Sequence, residues 1–105
     1  MAYIDLVTCI VNAWDENTET YRESTVLRKA PKFSGIKKDD EIYIEYGDDK
    51  EKATVVDSIS INPESEEAKF ICHSIHGMKA EPKELRKVIS VIKVQELKYQ
   101  EEEDG

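Results

Sequence analysis

The chain is poor in the residues that mark many protein classes. Its 105 residues include two cysteines, two histidines, three prolines, four glycines and one tryptophan, and aromatics make up 8%. Two cysteines are too few for a disulfide scaffold. The glycines form no phosphate-cradling or dinucleotide-binding loop of the Gly-x-x-x-x-Gly-Lys or Gly-x-Gly-x-x-Gly kind. No apolar run approaches the roughly 18–20 residues of a membrane helix. Met1-Ala2-Tyr3-Ile4-Asp5 lacks the basic start of a secretory signal, so a reducing cytoplasm is the expected compartment.

Charge is plentiful and unevenly placed. There are 15 basic and 23 acidic side chains, a net charge of -8. That balance excludes a uniformly basic nucleic-acid module. Residues 1–21 carry -4, and residues 22–38 carry +5, six bases against Glu23. Residues 39–67 then carry -9, residues 68–98 carry +4, and residues 99–105 carry -4. The last block, with Glu101-Glu102-Glu103-Asp104, reads as a flexible acidic tail on a single domain spanning 1–98.

Apolar alternation dominates the rest. Tyr3–Ala13 is rich in Ile, Val, Leu and Thr on both parities, which predicts a strand partly buried on both faces. A polar turn from Trp14 to Glu19 leads to a second strand over Thr20–Arg28, and Pro31 prevents a central strand from continuing. Phe33, in the following loop, is expected to fold back onto the core. Ile42, Ile44 and Tyr46 alternate with Glu41, Tyr43 and Glu45, a strand with one wetter face. Across a turn at Gly47, Ala53–Ile61 completes a hairpin, with Val55, Asp57, Ile59 and Ile61 on one parity. Ala68–Ile75 is read as a fifth strand. A single helical turn fits Pro82–Lys87, since proline suits the first helical position. The β-branched run Val88–Val94 favours a final strand, with a helix over 82–100 as the alternative.

The expected fold is mainly β: a small antiparallel barrel or strongly bent sheet of five to six strands, with at most one short helical turn near 82–87. Gly35 through Glu45, followed by Ala53-Thr54-Val55-Val56-Asp57-Ser58-Ile59, resembles the entry turn and paired strands of Src-homology-3-type small barrels. The pattern departs at Asp39, where that family usually has glycine. Ala30-Pro31-Lys32-Phe33-Ser34-Gly35 is similar to segments of small uncharacterised phage and prophage proteins. Neither likeness carries an activity with it.

The chemistry-bearing residues form no set. Cys9 and Cys72 lie in apolar runs and are expected to be reduced and buried. Cys72, His73 and His76 are zinc-type ligands, but on a strand His73 faces away from the other two, and no metal site is expected. Asp39-Asp40 and Asp48-Asp49 lack calcium-loop spacing. No nucleophile elbow occurs, and no enzyme or cofactor is expected. The function expected is a non-enzymatic protein-interaction or assembly module, its partner another protein or a second copy of itself, with Trp14, Tyr21 and Phe33 as contacts in an aromatic groove that Tyr43 and Tyr46 would extend. The alternative is a nucleic-acid-associated accessory protein using Arg28, Lys29, Lys32, Lys37 and Lys38.

Overall fold

Two long hairpins build the sheet. The computed structural model describes residues 3–92. Strand β1 (Ile4–Asp15) pairs along its length with β2 (Thr20–Pro31), and β3 (Glu41–Tyr46) with β4 (Asp49–Ile61). Gly47, at φ 58°, supplies the positive φ that a two-residue hairpin loop requires. The helix α1 (Glu66–His76), a 3₁₀ turn (Pro82–Glu84) and β5 (Val88–Ile92) follow. The antiparallel order is β2-β1-β4-β3-β5. Among the described residues no ladder joins the edge strands β2 and β5; an isolated bridge links Lys29 of β2 to Lys87, just before β5, so the sheet is strongly bent but not closed into a barrel.

Both faces of the sheet are covered. On the inner face Val7, Cys9, Val11, Val26, Ile42, Ile44 and Val55 form one core with Ile36. On the outer face Leu6, Leu27 and Ile61 pack with Ala68 and Cys72 of α1 and with Leu85. This explains the apolar residues on both parities of β1. The expected single row on β4 is split. Register slips against β1 between Thr8 and Cys9, leaving Val56 unpaired, so Val55 faces inward while Ile59 and Ile61 join the helix side.

Residues 68–75 are helical, which corrects the strand expected there. The Ser65 side chain accepts from the Ala68 N–H at 3.2 Å, Glu66 and Glu67 occupy the first turn, and Gly77 ends the helix at φ 95°. Ala68, Ile71, Cys72 and Ile75 form the i, i+3, i+4, i+7 stripe turned to the sheet. Other expectations shift less. β1 reaches Asp15, so Trp14 lies within a strand rather than a loop. β2 reaches Pro31, which an edge strand tolerates at its end. The helical turn expected at 82–87 is a 3₁₀ turn at Pro82–Glu84. Val88–Ile92 is a strand, and the remainder of that segment, with the expected tail at 99–105, lies outside the described residues. Among the described residues, no helix is long and apolar enough to cross a membrane.

Candidate functional site

The outer end of the first hairpin leaves the sheet. β1 pairs with β4 only as far as Val11, so Asn12–Asp15 is bonded to β2 alone, as a two-stranded ribbon. Such a ribbon is marginal without cross-strand support. Trp14 stands opposite Tyr21, the rings edge-to-face with centroids 5.2 Å apart. Beside them Arg22 binds Asp15 at 3.2 Å, which holds the Asp15 carboxyl below its ordinary range. Trp14 is 52% and Tyr21 67% exposed, so the pair is presented to solvent rather than capping the core. A cleft of about 400 Å³ separates the ribbon from Tyr46 and is lined by Ala13, Trp14, Asp15, Glu16, Arg22 and Ser24.

The free side of β2 is protected along half its length. The Leu27 N–H donates to His76 Nε2 at 2.9 Å, the Lys29 N–H to the Arg86 carbonyl at 2.9 Å, and Pro31 has no N–H. By the alternation of an antiparallel ladder, the N–H groups of Tyr21, Glu23 and Thr25 point the same way. They donate to no described residue. The open half of the edge therefore coincides with the aromatic pair.

Phe33 does not fold onto the core. It is 82% exposed and has φ 61°, a left-handed conformation that costs a bulky residue about 1–2 kcal/mol. Roughly 30 Å of strand separates it from Tyr21, so the expected contact trio is not one groove. Phe33 instead neighbours the lysines. Lys32 Nζ lies 4.6 Å from the Phe33 ring centre and 5.3 Å from that of Tyr3.

The two basic blocks of the sequence do meet here. Lys29 bridges to Lys87, and its Nζ donates to the Lys83 carbonyl. A groove of about 360 Å³ at this seam is lined by Ile4, Lys29, Ala30, Pro31, Lys87 and Val88. Lys37 and Lys38 are exposed on the loop before β3. Arg28 leaves the set expected to touch nucleic acid, because it is only 6% exposed. Its Nε donates to the Glu45 carbonyl and its Nη1 to the Leu27 carbonyl, each at 2.8 Å.

The metal-type residues do not gather. Cys72 is buried on the sheet-facing side of α1, and the imidazole of His76 is engaged with Leu27. Among the described residues no group of three or more His, Cys, Asp or Glu side chains is placed to hold a metal ion. Both thiols are free and buried. Comparison with family models, curated proteins and solved structures finds no match.

Proposed function

We propose that this protein is a non-enzymatic interaction module that docks a partner protein on the outer half of β2. The observation that carries this reading is the coincidence of an exposed Trp14–Tyr21 pair with the open strand edge at Tyr21–Thr25. An extended segment of the partner adds to that edge through main-chain hydrogen bonds, and the two rings anchor it. The resemblance to Src-homology-3-type barrels implies the same class of occupant. Buried free thiols suit a reducing compartment, and we place the protein in the cytoplasm.

The test is capture of partners by the tagged protein and by Trp14→Ala/Tyr21→Ala, with and without nuclease. A partner retained after nuclease and lost with the double variant supports the reading. Trp14 is the only tryptophan, so adding that purified partner should shift its emission to the blue. An unchanged spectrum rejects docking at the ribbon.

A second reading has its own observation: Tyr3, Lys32 and Phe33 expose rings and charge beside Lys29 and Lys87. Rings and lysines in this arrangement suit single-stranded nucleic acid. Binding of that kind weakens steeply between about 50 and 200 mM salt, whereas edge docking does not.

A further inference from the structure

Arg28 is a buried cation with no directly bonded carboxylate; the nearest attractive one, Glu45, is engaged by Arg86 and the Lys87 N–H. Arg28 is more than nine-tenths buried, and no carboxylate of the described residues forms an ion pair with it. Its hydrogen bonds go to two backbone carbonyls, and its Nη2 donates to no described residue. The Tyr46 ring, centred 6.0 Å away, offers only a weak further contact. Burial, and the nearby positive Arg86, push its pKa down from the ordinary arginine value, against the opposing effects of Cys9, Tyr46 and the Glu45 carboxylate. A buried charge in this state is costly unless something pairs with it.

Arg28 lines a pocket of about 350 Å³ between the β2 edge and the 80–86 segment. Arg86 is a second guanidinium on its wall, held only loosely, with Nη2 3.9 Å from Glu45 Oε2. Glu81 and Glu84 line the same pocket, and Ala80 and Leu85 give it an apolar part. His76 also lines it, with Nε2 already taken by Leu27. Two arginines beside two glutamates make a dipolar wall. A multiply charged phosphate suits the arginines but is repelled by the glutamates. A carboxylate with an ammonium group close to it satisfies both.

We infer that this pocket binds a small zwitterion of the α-amino-acid class, its carboxylate on Arg28 and Arg86 and its ammonium toward Glu81 and Glu84. Guanidinium donors match a carboxylate in a planar, two-bond fashion. The ligand would give Arg28 the directly bonded carboxylate it lacks.

The test follows the Arg28 Nε–H resonance by ¹⁵N NMR in the full chain during titration with glycine, acetate and inorganic phosphate. Glycine should shift it saturably, with a dissociation constant on the order of 1–10 mM. Acetate should bind more weakly, and phosphate weakest. Substituting Arg28 itself risks the fold, so the variants are Arg86→Gln and Glu84→Gln, both at exposed side chains. Arg86→Gln should weaken glycine and acetate together. Glu84→Gln should weaken glycine about fivefold, the worth of one charge near 4 Å in water, while leaving acetate no weaker. No saturable shift up to roughly 50 mM glycine, tighter binding of phosphate than of glycine, or indifference to Glu84→Gln would each overturn the inference.

Discussion

The imidazole of His76 caps the backbone of Leu27. Nε2 of the last residue of α1 accepts the Leu27 N–H at 2.9 Å and so ties the helix to the edge of β2. Accepting at Nε2 requires the neutral ring with its proton on Nδ1. Burial, then the charge of Arg28, lowers the His76 pKa. The unfolded chain therefore takes up this proton at a higher pH than the native one. Stability from the bond is fully present above about pH 6.5, the ordinary histidine value. It is lost as pH falls from there through the lowered native value. Thermal melts from pH 7.5 to 5 should show a decline that His76→Gln, which keeps an acceptor without titrating, reduces. An identical pH slope in the variant rejects this role.

The helix should depend on its cap. Ser65→Ala removes the acceptor for the Ala68 N–H and should cost about 1 kcal/mol. Urea unfolding followed by circular dichroism should give a lower midpoint with an unchanged slope. A variant as stable as the parent would mean that tertiary packing alone holds this turn.

Phe33 should be replaceable with a gain in stability. Its exposed ring contributes little burial, and its left-handed backbone costs about 1–2 kcal/mol. Phe33→Gly relieves that strain but loosens the unfolded chain by roughly 0.5–1 kcal/mol. The expected net gain is about 0.5–1 kcal/mol, read as a higher denaturation midpoint. Destabilisation would show that the ring packs in solution. A stabilised variant that loses nucleic-acid binding would assign Phe33 to the second functional reading.

The thiols should be silent in the native state. Burial pushes Cys9 up to about 11 against the opposing charge of Arg28, and Cys72 is also raised, by burial and then by Glu81. A thiolate is the reacting species, so both conditions slow modification. An aromatic disulfide reagent at pH 8 should label native protein at least about a thousandfold more slowly than unfolded protein. One fast-reacting thiol would place that cysteine at an open surface.

Legibility differed from segment to segment for physical reasons. The strand at 41–46 was readable because β3 has one buried face and so a clean alternation. The helix at 66–76 was hidden by Phe70, Ile71 and Ile75, residue types common in strands. Its signals were present in Ser65, Glu66, Glu67, Gly77 and the spacing of Ala68, Ile71, Cys72 and Ile75. The candidate contacts were legible as types and not as places. Trp14 and Tyr21 became a pair only through the register of β1 on β2, and Arg28 looked like a surface cation among lysines. At Asp39, where the resembled pattern has glycine, the backbone is left-handed with φ 74°, a conformation aspartate tolerates better than most residues.

The mainly β architecture, the hairpin at Gly47, the buried state of both cysteines and the alternation of charged blocks were all readable from the order of residues. These follow from local preferences, which neighbouring residues carry. Tertiary structure alone decided that the basic blocks meet at Lys29 and Lys87, that β4 changes face at Val56, and that Arg28 is enclosed while Trp14 and Phe33 are not. Each depends on register and on which strand lies at an edge, and those are set by pairings between residues far apart in the chain.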